Sequence, residues 1–367
     1  MDRSQDNARE LWDWEKNQIR VSTPDPEELK EWQRNLPFKV EDVFDFNSGL
    51  REGDVAEPRP PPPPKCDQLD EIEKAASEGD LSTIQRLFDQ LRGTSAGDYW
   101  IPRQTSSLFR AVRNRHTAVV EYLLSQGSSP TVELAKIAAE HNDTAVLEWF
   151  LKHGWDINEQ LGWCDPPVLG SVVENAYLVT WLLSHGADPN ARCVLDITPL
   201  SYAVHSAPFD VIKTLFAHGG SIHNGQLLHF AAGRKLPARL DVVTYLVDQG
   251  APINEVMYHH DQPSTDLQSG AGLGTPVHRA AADGHLDVVR YLVEKGANLT
   301  ILDSRGKSVL HRAEFYKRQE VVDFLRHILA ESSNPPASTH SMGEPVTSRQ
   351  ANTGKLHLHP REKASRI

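Results

Sequence analysis

Several short patterns in this chain have the residue types of known chemistry. Gly93-Thr94-Ser95-Ala96-Gly97 has the spacing of a serine-nucleophile elbow. That elbow presents its hydroxyl only where a strand enters it and a helix leaves it. Here a helical pattern over 84–91 comes first and Asp98-Tyr99-Trp100 follows, so no nucleophile is expected. Gly270-Ala271-Gly272-Leu273-Gly274 begins like a dinucleotide loop, but Thr275 stands where the third glycine is needed. His357 and His359 lie near His340 with no cysteine or carboxylate partner, which is a poor ligand set for zinc. Cys66, Cys164 and Cys193 are odd in number and lack metal spacing, as in a reducing compartment. The expectation is a protein with no catalytic residue, no cofactor and no metal.

His229, His278 and His311 are different, because they recur at one position of a longer pattern. Thr275-Pro276-Val277-His278-Arg279-Ala280-Ala281 has weaker copies in Thr198-Pro199-Leu200-Ser201-Tyr202-Ala203 and Gln226-Leu227-Leu228-His229-Phe230-Ala231. After each comes a branched pair such as Val288-Val289, then Tyr291-Leu292-Val293, then Gly296-Ala297-Asn298. The second branched residue falls at Ile84, Val120, Leu147, Val179, Ile212, Val243, Val289 and Val322, in steps of 36, 27, 32, 33, 31, 46 and 33. Threonine and proline suit the start of a first helix, whose alanines allow close packing. Branched residues at i, i+1, i+4 and i+5 give a second helix one buried face. Gly186 and Gly296 suit the left-handed residue that ends that helix. The three histidines thus read as hydrogen-bonding groups at helix starts.

A period of about 33 with Thr-Pro-Leu-His-x-Ala resembles the ankyrin repeat, here of a fungal type. The resemblance covers about 66–330, in seven to eight units with charged, degenerate ends. It implies an all-α repeat solenoid of helix-turn-helix units with β-hairpin fingers, working as a surface that binds a protein. Inner-helix positions that would face the partner are Arg110, Arg113, Tyr202, His205, Phe230, Arg279, Arg312 and Tyr316, with Trp155, Trp163 and Tyr258 in or near fingers. Aromatic and arginine side chains of this kind anchor interfaces. The 46-residue step marks an insertion at 255–274, read either as a tolerated loop or as part of the binding face.

The flanks read as separate segments. Residues 1–65 carry 15 acidic and 10 basic side chains. Asp25-Pro26-Glu27-Glu28 opens a helix whose Leu29, Trp32 and Leu36 share a face, giving an acidic arm that packs on the array or binds a partner. Pro60-x-x-Pro63-x-Lys65 has the form of an SH3 ligand and also of a stiff spacer. Residues 331–367 are rich in Ser, Thr, Pro and Asn and are expected to be disordered. Their last three, Ser365-Arg366-Ile367, only approach a peroxisomal address. About −9 of the net charge of −12 falls on 66–330, which argues against a nucleic-acid surface. No apolar run approaches a membrane span, and no signal peptide opens the chain. A protein-binding scaffold or adaptor of the cytoplasm or nucleus is expected, with a nuclear transcriptional co-regulator as the alternative.

Overall fold

The computed structural model describes residues 67–268, 270 and 272–333. The arm around Asp25 and Leu36, the polyproline run at Pro60 and the tail with His357 lie outside the described residues. Within them the chain forms eight helix pairs. The first helices of the pairs, called A, are α1 (Asp67–Glu78), α4 (Thr105–Arg113), α6 (Val132–Glu140), α8 (Val168–Ser171), α10 (Pro199–Ser206), α12 (Leu227–Ala232), α15 (Pro276–Asp283) and α17 (Val309–Phe315). Their B partners are α2 (Leu81–Leu91), α5 (Thr117–Ser125), α7 (Thr144–Lys152), α9 (Ala176–Ser184), α11 (Phe209–Ala217), α13 (Arg239–Asp248), α16 (Leu286–Glu294) and α18 (Gln319–Ser333). Two short helices interrupt the series: α3 (Ser95–Trp100) and α14 (Gln262–Gln268).

Each A helix packs on the next A helix along the whole series, from α1 on α4 to α15 on α17. Alanines and glycine make that approach possible: Ala75, Ala111, Ala138, Gly170, Ala203, Ala231, Ala280 and Ala313 are all buried. All eight branched anchors of the B helices, from Ile84 to Val322, are in the core. Thr198 caps its A helix as expected, and Asp80, Asp143 and Asn175 cap B helices, each accepting an early backbone N–H. Gly186 and Gly296 end B helices with φ of 95° and 92°, a conformation that costs most residues a Cβ clash.

The fingers depart from the expected β-hairpins. No strand forms among the described residues, and the one isolated bridge is antiparallel between Gln160 and Pro167. The connectors are held instead by asparagine side chains that span neighbouring repeats. Asn158 donates to Gly186 O (3.1 Å) and accepts from Asp188 N (2.8 Å). Asn190 does the same with Gly219 O and Ser221 N, and Asn254 with Gly296 O and Asn298 N. Each amide side chain satisfies two backbone groups that a strand ladder would otherwise pair. The short step of 27 also has a physical cause, because only six residues, 126–131, join α5 to α6 and no finger fits there.

Candidate protein-binding surface

The structure first decides which candidate residues a partner can reach. Trp155, Phe230 and Tyr258 are corrections to the sequence reading: all three are buried, Tyr258 to 2% exposure. Burial pushes the Tyr258 phenol well above its ordinary range, with Asp196 adding to the shift. Arg110 is exposed and paired with Glu73 on α1 (3.0 Å), and Arg113 is exposed one turn later. Arg312 is half-buried, with its guanidinium on Asp303 (3.3 Å) and on the Gly272 carbonyl. Tyr316 is exposed and lies edge-on to Phe315, centroids 5.1 Å apart.

Four of the remaining candidates fall along one continuous stripe. Trp163, 42% exposed, sits at the tip of a turn closed by two backbone bonds between Gly162 and Asp165 (3.2 and 3.3 Å). Its own carbonyl accepts Leu195 N from the next finger (3.2 Å). Asp165 accepts the Tyr202 hydroxyl of α10 (3.1 Å), which links finger to helix. His205 lies one turn further along α10 and feels the charges of Arg279, Asp283, Arg234 and Lys235. Arg279 of α15 pairs with Asp283 (2.7 Å). The stripe thus runs from a finger to the A helices α10 and α15.

Local electrostatics keep these groups in defined states. Burial, then the Arg279 cation, lowers His205 to about 4, so the ring is neutral near pH 7. Burial and the adjacent Asp165 carboxylate raise the Tyr202 phenol, which therefore stays a hydrogen-bond donor. Cys164 and Cys193 are buried, free and pushed up by burial to about 11 and about 12. They are thiols and not thiolates, hence poor nucleophiles and ligands. No group of three metal-ligating side chains occurs among the described residues. Ser95, the elbow candidate, opens α3 directly after α2, with Thr94 capping that helix through Gly97 N (2.9 Å). Ser95 and the turn before it are exposed, but a helix and no strand leads into that turn, so the strand-to-helix elbow that a nucleophile needs is not formed.

The recurrent histidines also find their role. His278 Nδ1 accepts Thr275 N (3.2 Å), and its Nε2 donates to Lys307 O in the following connector (3.3 Å). His229 reaches Glu255 O in the same way (3.0 Å), and at the equivalent position Ser201 donates to Gly225 O (2.5 Å). Each clips its A helix to the connector of the next repeat. His311 lies in the last pair of the described residues, is exposed, and has no following connector among them.

A family model described as ankyrin repeats, in three copies, matches residues 228–334. Residues 228–334 are ankyrin repeats. The same unit continues upstream of the matched segment to α1. Among curated relatives, the ankyrin repeat protein FPV244 of fowlpox virus is 28% identical over 133 residues, 36% of this chain and 20% of that protein. The human palmitoyltransferase ZDHHC13 is 38% identical over 90 residues, 24% of this chain and 12% of the enzyme. The palmitoyltransferase AKR1 of the yeast Lachancea kluyveri is 22% identical over 246 residues, 65% of this chain and 28% of that enzyme. The chain thus spans well under a third of these relatives' lengths. They come from a virus, a vertebrate and a yeast, so they do not single out a fungal type.

The structure adds residues to this ankyrin-repeat surface that sequence reasoning passed over. Asp165 links Trp163 to Tyr202, and nothing in its local sequence signals that. Six residues, 233–238, join α12 to α13, against two between α10 and α11. Counting from the alanine pair to the branched pair would have revealed that longer turn.

Proposed function

We propose that this chain is a non-catalytic scaffold or adaptor that grips a protein partner along the stripe from Trp163 through Tyr202 and His205 to Arg279. Ankyrin repeats generally mediate protein–protein interaction, and the exposed Trp163 on a backbone-locked turn is the observation that carries the reading. A large aromatic held rigid before binding loses little conformational entropy on contact. Palmitoyl transfer is named for relatives of which this chain matches a small part, and it is not proposed here. Among the described residues no helix is long and apolar enough to cross a membrane.

The test is quantitative capture of a partner by the wild-type chain, Trp163→Ala and Arg279→Ala. A loss of roughly 2 kcal/mol in binding at Trp163, with unchanged melting, is expected of an interface anchor. Full retention of binding in both variants would remove the stripe from the interface. The second reading, a nuclear co-regulator, is favoured by the acidic arm bearing Trp12, Trp14, Trp32, Phe44 and Phe46. Residues 1–65 fused to a DNA-binding module would then raise reporter output, and silence with a cytoplasmic intact chain would count against it. Placement in the cytoplasm or nucleus, and SH3 recognition at Pro60-x-x-Pro63-x-Lys65, belong to the same proposal.

A further inference from the structure

Asn224 stands directly before Gly225 in the connector from α11 to α12. It is exposed, and its side chain has no hydrogen-bond partner among the described residues. Each of the seven other asparagines among those residues has its side chain in a hydrogen bond, and none of them precedes a glycine. Asp283-Gly284, the one aspartate–glycine pair there, keeps its carboxylate on Arg279 (2.7 Å).

An asparagine side chain is open to attack by the peptide nitrogen that follows it, which closes a succinimide ring. Glycine at the next position removes the Cβ that obstructs this closure. Gly225 has φ of 77°, and a Cβ there would collide with Ser201 Oγ and Thr198 Oγ1. The fold therefore confines position 225 to the least hindering neighbour an asparagine can have. Gly225 N donates to Asp196 Oδ1 (3.1 Å), while Asp196 Oδ2 accepts Gln226 Nε2 (2.6 Å). A base thus stands within hydrogen-bond reach of the proton that the attack must shed. Gly225 O accepts Ser201 Oγ (2.5 Å), which limits how far this peptide swings away from the carboxylate.

We propose that Asn224 is a site of self-catalysed deamidation in which Asp196 acts as the base. Gly225 N bonds to Asn224 Cγ, and its N–H, made acidic by that bond, passes its proton to the Asp196 carboxylate. The bond from Cγ to the side-chain nitrogen then breaks, and that nitrogen takes the proton and leaves as ammonia. Water adds to either carbonyl of the succinimide and opens it to aspartate or isoaspartate, so water is consumed and ammonia released. The exposure of Asn224 admits that water. Isoaspartate lengthens the main chain by a methylene and adds a carboxylate near Asp196. Both changes oppose the bond from Gly225 N to Asp196. They loosen a connector that also holds the insertion, through Gln226 Oε1 and Tyr258 N (3.1 Å).

The test incubates the full chain, its Asp196→Asn variant and the free peptide 214–234 at neutral pH. Trypsin releases that same peptide from the chain, with Asn224 as its only asparagine, and mass spectrometry with isoaspartate detection reads the conversion. The folded chain should convert faster than the free peptide. Asp196→Asn keeps an acceptor for Gly225 N but no base, and should slow conversion about tenfold, less than a base matched to neutral pH contributes. A folded chain slower than the free peptide would mean that the fold protects the amide, and overturns the site. Equal rates in the variant and the wild type overturn the role of Asp196. If the variant melts lower, it is set aside and the ratio of chain to peptide decides. Amide exchange over 255–268 should be faster in aged than in fresh protein, and unchanged exchange would remove the link to the insertion.

Discussion

His278 shows what a single side chain does in this array. Its Nδ1 must be unprotonated to accept Thr275 N, and its Nε2–H meets Lys307 O. Burial accordingly lowers it to about 4, and lowers His229 to about 4 as well. The unfolded chain titrates these rings near the ordinary value of 6.5. Between about 6.5 and 4 the unfolded state therefore binds more protons than the folded one. This stability is fully present above about 6.5 and is lost as the pH falls toward 4. Each of the two buried rings contributes on the order of 3 kcal/mol to that linkage. His278→Leu should cost about 1–3 kcal/mol at pH 7.5, because it leaves a buried N–H and a carbonyl unpaired. The variant should also lose less stability than wild type on acidification. Thermal melts of both proteins from pH 7.5 to 4.5 check the two effects, and parallel pH profiles would contradict the assignment.

Among the elements, the 255–274 insertion matters most. It is not a loose loop: Tyr258 and Ser264 are buried, and α14 forms within it. Arg192 forks onto Asp261 at 3.0 and 2.9 Å, and Ser264 Oγ accepts Asp196 N (3.0 Å). Asp196 also accepts Gly225 N (3.1 Å) and Gln226 Nε2 (2.6 Å), while Gln226 Oε1 accepts Tyr258 N (3.1 Å). The Asp196 carboxylate thereby joins two connectors and, through Gln226, the insertion, which the Asp196 backbone N–H also ties through Ser264. Asp196→Ala removes charge-assisted bonds of the stronger class, a loss of about 2 kcal/mol. Amide exchange over 255–268 should speed up while α4–α7 stay as protected as in wild type. Unchanged exchange in the insertion would show that packing of Tyr258 holds it alone.

For the molecule as a whole, a repeat array is stabilised mainly by contacts between neighbours, so its units can open in sequence. Here the insertion adds ties that skip a repeat, and the asparagine bridges run from Asn158 to Asn298. The connector 126–131 has neither, and Ser128 is buried there with its hydroxyl unpartnered. Repeats five to eight should therefore outlast the first two in urea. Hydrogen exchange at rising urea should show α1, α2, α4 and α5 losing protection before α10–α16. Simultaneous loss would mean that nearest-neighbour packing dominates over the extra ties.

The repeat, its period and its helix faces were legible in the sequence, because they follow from local spacing. Val288, Val289 and Leu292 can bury a face in only one way, and Gly296 can end that helix cheaply. The role of His278 was legible for the same reason: its position recurs. The insertion could be located by counting but not understood, since Asp261, Asp196 and Gln226 are far apart along the chain. Fingers without strands were equally hidden, because each asparagine bonds a backbone 28 to 44 residues away. Trp155, Trp163 and Tyr258 have the same composition signal, and only packing sorted them into two core rings and one exposed anchor. Sequence determines what repeats, since propensity and periodicity are local; tertiary structure alone decided which departures from the repeat face inward, because burial depends on neighbours that spacing does not name.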